Sequence, residues 1–250
     1  MFSSDPILKD HGIVLRWYPV TDTSRIVIWF TEHHGRVATL VRGSQRPKSW
    51  VLGQYDLFYT CEVLFYARAK EDLHALRECS PIQPRTSFRE EYRACAGASF
   101  ICDLLSKLTP SREAAPLLYQ QATRCLDLLA EHGASPSLLF WFELQALRDL
   151  GVAPDLSSGV QHNMVFDIEK GKVCMKQKSS SSNTPSISAG ALTCFRQLLE
   201  QPDPNVIKRL RLLPDQVSEI ANHLNRFTSW HLDLDVRSRS RALAWASYLS

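Results

Sequence analysis

The residues best suited to chemistry are a group of cations in the N-terminal third of the sequence: Arg36, Arg42, Arg46 and Lys48. Three of them lie within seven residues, and Gly43 and Pro47 predict that the chain there forms an irregular loop. Guanidinium and ammonium groups held on one loop can neutralise the phosphates of a nucleic-acid backbone. A charged loop that contacts only solvent would show the same pattern, so both interpretations stay open here.

The same segment is rich in aromatic residues that could stack on bases: Trp17, Trp29, Trp50, Tyr55, Phe58 and Tyr59. Stacking of a base on an aromatic ring contributes about 1–3 kcal/mol and does not depend on base identity. A small domain has to bury most of its large aromatic rings, so we expect only one or two to reach a nucleic acid. Trp50, beside the basic loop, is the first candidate, and Trp17 is the second.

Two further basic groups lie toward the C-terminus. Lys208, Arg209 and Arg211 could extend a path for phosphates, or they could lie at the C-terminal end of a short helix that begins near Pro204. The sequence favours neither interpretation. The last group alternates with serine and is predicted to be an exposed charged tail: Arg237, Arg239 and Arg241.

The sequence shows no recognisable arrangement of residues for catalysis or metal binding. His33 and His34 are adjacent, and adjacent residues on a strand point to opposite faces, so the two could not easily share one ion. Glu143 follows three aromatic residues and is predicted to lie on a solvated helix face. The G-x-S-x-G, Walker, G-x-G-x-x-G and H-E-x-x-H motifs are all missing from the sequence. We therefore predict that the protein is not an enzyme.

These residues must be positioned by a β-rich region over residues 1–82. Runs of β-branched and aromatic residues, separated by glycine, proline and polar turns, predict five strands. The strands are expected at residues 12–17, 25–30, 36–41, 55–66 and 73–82. Five short strands in this length favour a small closed barrel. An OB-fold and an SH3-like barrel would show much the same pattern.

Helical periodicity begins at Ser87, and an α-helical domain is predicted over residues 83–250. Three amphipathic stripes end near residues 108, 129 and 150, and Ser135 and Ser188 are predicted N-caps. Residues 152–187 interrupt this pattern with lysines and a serine-rich tract, which predicts a basic surface insert. The fold class that we expect is α+β.

Composition indicates an ordinary globular protein. The 250 residues carry a formal net charge of +3, which by itself does not identify a nucleic-acid binder. The seven cysteines form no C-x-x-C pairs, and no apolar run approaches the length of a membrane span. We expect a reduced, cytoplasmic protein that does not associate with membranes.

Several segments of the chain resemble the RecO family of bacterial recombination mediators. The run GRVATLVRGSQRPKS at residues 35–49 resembles that family's third strand and following loop. Thr31 and Glu32 before it and residues 52–58 after it also fit, as do residues 187–188 and 210–212 toward the C-terminus. The resemblance covers almost the whole chain. It implies that the barrel is an OB-fold.

The resemblance also implies a zinc-finger-like insert that has lost its metal. LGVAPDL at residues 150–156 resembles the segment that precedes four cysteine ligands in the family. The four ligand positions fall on residues of which only one is a cysteine: Gly159, His162, Cys174 and Gln177. A structural zinc site needs four nitrogen or sulfur donors, so we expect no zinc and no other cofactor.

The resemblance implies a mediator of DNA repair and recombination in the RecF pathway. Such a protein binds single- and double-stranded DNA, anneals complementary strands and helps to load the recombinase. Two protein partners are implied: RecR, and the single-stranded-DNA-binding protein, whose acidic, apolar C-terminal tail docks on the helical domain. Nucleoid association would follow. The alternative from a different class is a protein-interaction scaffold whose barrel does not contact DNA.

Overall fold

The structure, a computed structural model, describes residues 6–68, 72–111, 113–159, 163–176 and 184–244. The chain divides into two compact units. The first comprises Met1–Tyr92 and Ile101–Glu131, and the second comprises Arg93–Phe100 and His132–Ser250. The division at residue 82 that we expect from the sequence stays a prediction.

The first unit contains a closed five-stranded barrel. Its strands are β1 (Ile7–Thr21), β2 (Ser24–Thr31), β3 (Gly35–Val41), β4 (Thr60–Tyr66) and β5 (Leu73–Gln83). The order around the barrel is β1-β2-β3-β5-β4, and every pair is antiparallel except β3 and β5. The long β1 pairs with β4 through its first half and with β2 through its second. This arrangement is consistent with an OB-fold, as predicted.

Alternation along the strands places one set of side chains inside the barrel. Trp29 is fully buried there, and its Nε1 donates a hydrogen bond to Thr39 Oγ1 at 2.8 Å. The edge of the Tyr55 ring meets the Trp29 ring with 6.1 Å between centroids, and Tyr59 belongs to the same core. The prediction that most aromatic residues of this segment are buried is therefore confirmed.

A buried arginine secures one end of the barrel. Arg85 precedes a short 3₁₀ helix (Thr86–Arg89), and its guanidinium donates to the Phe58 carbonyl oxygen at 2.8 Å and to Thr60 Oγ1 at 2.9 Å. It also pairs with Asp127 at 2.7 Å. Asp127 lies on α2 (Pro116–His132), which follows α1 (Tyr92–Leu108). The pairing satisfies a charge that would otherwise be costly to bury.

The second unit is built around α3 (Pro136–Asp149). Ser135 is its N-cap, as predicted, and accepts a hydrogen bond from the Leu138 N–H at 3.3 Å. The sequence predicts that only one apolar stripe of α3 is buried, but in the structure residues on all sides of this helix are buried. The helices that follow are α4 (Ala189–Glu200), α5 (Pro204–Ile207), α6 (Pro214–Leu232) and α7 (Arg237–Leu243).

A buried ion pair between α3 and α7 corrects the sequence interpretation. Glu143 is completely buried rather than solvated, and it forms a bidentate ion pair with Arg239. Arg239 is equally buried and also donates to Asn225 Oδ1. The segment predicted to be a charged tail is therefore α7, packed with one of its arginines inside the unit. The sequence pattern missed this because Glu143 and Arg239 are 96 residues apart.

The insert also differs from the predicted polar loop. It contains a hairpin of β6 (Met164–Asp167) and β7 (Lys172–Met175), and all four residues of β6 are buried. Phe166 packs against Phe195 and Phe227, with ring centroids 6.2 and 5.9 Å away. The serine-rich tract at residues 179–182 lies outside the described residues. Among the helices that the structure describes, none is long and apolar enough to cross a membrane.

Candidate nucleic-acid interface

The outward face of β1, β2 and β3 carries a shallow opening of about 330 Å³. Arg16, Ile28 and Ala38 lie side by side across the three strands in the barrel register. Tyr18 and Arg36 line the same opening together with one carboxylate, Asp72, and the Tyr18 side chain is 44% exposed. In OB-folds the face of the second and third strands is the surface that receives oligonucleotides. The geometry therefore combines two guanidinium groups and a phenol ring on that face.

Arg36 is held in a defined position. It is half-buried, and its guanidinium donates to the Ser106 carbonyl oxygen and to Ser111 Oγ. Gly35 before it has a φ of 63°, and a Cβ there would lie 2.2 Å from the Glu113 carbonyl oxygen. Only glycine permits this approach of the two backbones. These contacts therefore hold the Arg36 guanidinium in one position, at the opening.

The four N-terminal cations do not form one cluster. Arg36 lies near the start of β3, whereas Arg42 follows its last residue. Six residues of strand separate them by about 20 Å, although alternation places both on the outward face. Arg42, Arg46 and Lys48 remain together on the connection between β3 and β4, and all three are exposed. The predicted path therefore has one cation at one end of β3 and three beyond the other end.

The β3–β4 connection is attached to the barrel at Gln45, between its cations, and at Val51, after them. The Gln45 N–H donates to the Thr23 carbonyl oxygen at 3.2 Å, and the Arg46 N–H donates to the Gly43 carbonyl oxygen at 3.1 Å. Val51 is buried in the barrel core a few residues later. Trp50, immediately before that anchor, is 54% exposed. The loop thus presents three cations and one indole outward on a constrained backbone.

Trp17 does not suit the role predicted for it. Its side chain packs against the barrel core, on the strand face opposite to Arg16 and Tyr18. The Arg25 guanidinium lies over its ring, 3.6 Å from the centroid. A base could stack there only after displacing Arg25, so we leave Trp17 out of the proposed interface. Its neighbours Arg16 and Tyr18 were missed, and the alternation of the strand was the signal that could have identified them.

The second basic group surrounds the end of α5, in the second unit. The Lys208 N–H bonds to the Pro204 carbonyl oxygen, and Lys208 Nζ lies 2.9 Å from His132 Nε2. Arg209 and Arg211 are exposed, and Arg209 borders an apolar opening of about 440 Å³. Its lining combines four apolar residues (Pro202, Val206, Ile207 and Leu210) with Gln197, Gln201 and the carboxylate of Glu200. Both interpretations of this group, a path for phosphates and the end of a short helix, fit these positions.

The ligand positions of the insert do not fit a zinc ion. Gly159 has no side chain, and Cys174 is a half-buried residue of β7. His162 and Gln177 lie outside the described residues. Even if both offered an atom, the set would lack a fourth donor and would include an amide, which zinc sites rarely use. The hairpin is instead held by strand pairing and by the packing of Phe166.

A separate cluster surrounds Asp10 on β1. His33 and His34 lie in the β2–β3 turn, not in a strand, and both Nδ1 atoms reach the Asp10 carboxylate, at 3.0 and 2.6 Å. The argument that these rings must face opposite ways was therefore wrong. Ligand atoms of Asp10, Glu32 and His33 lie within 4.8 Å of one another. The hydrogen bonds to Asp10 account for this arrangement without an ion.

The barrel followed by helices defines the class: proteins that join an OB-fold-like barrel to a helical region. Residues 6–85 match the family description "Recombination protein O N terminal", and residues 89–240 match "Recombination protein O C terminal". The chain belongs to the RecO family of DNA repair proteins.

Individual relatives agree with this assignment over nearly the full chain. The DNA repair protein RecO of Symbiobacterium thermophilum is 28% identical over 228 residues, which cover 86% of this chain and 88% of that protein. The RecO protein of Bacillus pumilus is 24% identical and covers 93% and 92%. That of Prosthecochloris aestuarii is 22% identical and covers 95% and 96%.

Proposed function

We propose that this DNA repair protein binds single- and double-stranded DNA through the outward face of its barrel and the basic β3–β4 loop. The observation that supports the proposal most directly is the opening lined by Arg16, Tyr18 and Arg36, on the face that OB-folds use for oligonucleotides. The exposed loop cations and Trp50 extend this surface. Guanidinium groups suit phosphate because they can donate two parallel hydrogen bonds.

We further propose that bound strands are annealed without catalysis and without zinc. Neutralising backbone charge on two complementary strands lowers their repulsion. Contacts limited to phosphates and base faces leave the pairing edges of the bases accessible. The family membership supports the further step in which the protein helps to load the recombinase onto DNA coated with single-stranded-DNA-binding protein. A protein with this task would act in the cytoplasm, near the nucleoid.

Two protein partners belong to the same proposal: RecR and the tail of the single-stranded-DNA-binding protein. The apolar opening beside α5 supports the second of these. Its walls include Val206 and Leu210, and Arg209 lies at its border. An apolar tail with acidic residues would bury its apolar side chains there and place its carboxylates near Arg209.

The decisive experiment removes two loop cations. Arg42→Ala together with Arg46→Ala should weaken binding of a fluorescein-labelled single strand by about tenfold at low salt, because each loses a charge-assisted contact. Both side chains are exposed, so the unfolding temperature should stay unchanged. Fluorescence anisotropy and thermal unfolding measure the two effects.

A matched control removes two barrel cations that already have carboxylate partners. Lys9 pairs with Glu62 at 2.8 Å and Arg77 with Glu78 at 3.3 Å. Lys9→Ala with Arg77→Ala should leave DNA affinity within about twofold, since exposed pairs contribute little. Equal affinity of the loop variant and this control would move the site elsewhere. If the unaltered protein failed to bind DNA even at low salt, the scaffold alternative would replace the proposal.

A further inference from the structure

The second unit carries a wide groove that the proposed function does not use. It has a volume of about 960 Å³ and lies between α6 and α7. Asp233, in a left-handed conformation with φ of 51°, ends α6, and the Leu234 N–H donates back to the Thr228 carbonyl oxygen at 3.2 Å. The chain therefore reverses within a few residues, and α7 forms the second wall.

The arginines of α7 divide between the interior and this groove. Arg239 points inward to its ion pair with Glu143. Arg237 and Arg241 are four residues apart, so they share one face of the helix, and both are exposed and line the groove. Arg226 lines it from α6. The packing of one arginine inside thus determines where the other two are displayed.

An exposed indole lies in the same groove. Trp230 is 57% exposed, and it follows Arg226 by four residues on α6, so the two side chains share a face of that helix. Its exposed ring gives the groove a flat aromatic face that a ligand could reach. A flat ring beside guanidinium groups is the combination with which proteins bind single-stranded nucleic acid, one stacking on bases and the other pairing with phosphates.

The carboxylates of the groove do not cancel its cations. Asp235 and Arg237, paired at 2.6 Å, neutralise each other, and Glu169 then lines the groove against Arg226 and Arg241. The exposed Lys172 lies close along the chain from Glu169, at the β6–β7 turn. That turn packs on α6, since His231 Nε2 lies 2.7 Å from the Ile168 carbonyl oxygen. The local charge therefore favours an anionic ligand.

We propose that the α6–α7 groove binds a single-stranded polynucleotide, with bases stacked on Trp230 and phosphates held by Arg226 and Arg241. An acidic peptide would use the cations but would leave the indole face without a matching flat group, so the polynucleotide is favoured. This inference rests on the proposed function, in which the barrel binds DNA. Its consequence is that one molecule holds two strands at once, as annealing requires.

The test measures capture of a second strand by the full-length protein. A donor-labelled and an acceptor-labelled strand of non-complementary sequence are mixed with the protein, and energy transfer reports their binding to one molecule. Trp230→Ala with Arg241→Ala should reduce this signal at least about fivefold and slow annealing of complementary strands by about tenfold. The affinity for a single labelled strand should fall by less than about threefold, because the barrel remains intact.

The matched control is Tyr92→Ala with Arg77→Ala, which also removes one exposed aromatic ring and one exposed cation; neither residue lines the groove or belongs to the basic loop. The control should behave as the unaltered protein does. If the groove variant captures the second strand as well as the control does, the groove is not a polynucleotide site. The same conclusion follows if the variant loses only the binding of a fluorescein-labelled oligo-aspartate peptide.

Different results would overturn the proposed function and the groove inference. If the unaltered protein binds no strand at low salt, the proposed function fails and the groove inference fails with it. If the unaltered protein binds one strand, and Arg42→Ala with Arg46→Ala abolishes all binding while the groove variant retains second-strand capture, the proposed function stands and only the groove inference is overturned.

Discussion

Some charged residues of this protein are buried and hydrogen-bonded, although their positions in the sequence do not indicate it. Asp10 is buried, and its carboxylate accepts hydrogen bonds from the His11 N–H at 2.8 Å and from the His33 N–H at 3.1 Å, besides the two histidine rings. Burial alone would raise the pKa of Asp10, but the hydrogen bonds from His33 and His34 outweigh it and hold the pKa below its ordinary value. Asp10 thus acts as an ionised anchor of the β2–β3 turn.

The same contact predicts a pH dependence. The hydrogen bond to Asp10 and the attraction of its charge raise the pKa of His33 above its ordinary 6.5. The stabilisation from this proton is complete below pH 6.5 and is lost as the pH rises through the raised pKa. The Asp10 contribution is present above pH 3.8 and is lost as the pH falls through the lowered pKa.

Asp10→Asn should lower the His33 midpoint toward its ordinary value, because the main anionic partner is gone while Glu32 remains. Proton NMR of the imidazole resonances, assigned with His33→Gln, measures the midpoint. The substitution should also lower the free energy of unfolding by about 1–3 kcal/mol, since buried donors lose an ionised acceptor. An unchanged midpoint would show that Asp10 does not bind His33 in solution.

The ion pair of Arg239 and Glu143 leads to a second prediction at this scale. Arg239→Ala leaves a buried carboxylate without its partner and should lower the free energy of unfolding by about 3–5 kcal/mol. Replacing both residues with methionine should recover much of that loss, because no charge then remains buried. Arg237→Ala removes an exposed ion pair and should change the free energy of unfolding by less than about 1 kcal/mol. Urea unfolding distinguishes these outcomes, and a mild effect of Arg239→Ala would contradict the buried pairing.

At the scale of elements, most of the strands and helices could be predicted, because alternation and helical periodicity are local properties. All five barrel strands overlap the predicted runs, and Ser135 and Ser188 are N-caps as expected. The failures are elements whose burial depends on distant partners. The β6–β7 hairpin lies in a segment that looks polar, and α7 in a segment that looks like a tail. The hairpin packs against α6, and α7 forms its ion pair with α3.

The hairpin provides a test of what holds the insert together. Phe166→Ala should lower the free energy of unfolding by about 3–5 kcal/mol, because the ring packs against two other phenylalanines in the core. Met175→Ala, at an exposed position of the same hairpin, should have an effect of about 0.5 kcal/mol or less. A chelator should leave the unfolding temperature unchanged for the unaltered protein. A stoichiometric zinc ion in purified protein would contradict this view of the insert.

On the scale of the whole molecule, the modest net charge of +3 hides local concentrations of cations. Nucleic-acid affinity depends on where cations converge rather than on their sum. The β3–β4 loop and the α6–α7 groove are two such places, one in each compact unit. A protein of this charge can therefore bind DNA tightly at low salt and release it as salt rises.

The salt dependence of binding checks this distribution. Each of the three loop cations is expected to contact one phosphate of a single strand. A plot of the logarithm of the binding constant against the logarithm of the salt concentration should then have a slope of about −2 or steeper. Arg42→Ala with Arg46→Ala should make the slope about 1.4 less steep. Anisotropy titrations at several salt concentrations measure it, and a salt-independent affinity is incompatible with phosphate contacts.

The sequence by itself determined the barrel, the main helices, the family and the candidate loop of Arg42, Arg46 and Lys48, because these depend on patterns within a few residues. Only the tertiary structure decided which charged and aromatic residues remain available to a ligand. Glu143 and Arg239 are buried together, Trp17 packs beneath Arg25, and Arg237 and Arg241 face a groove. The physical reason is that exposure depends on which surfaces pack over a residue, and those surfaces come from parts of the chain far away in sequence.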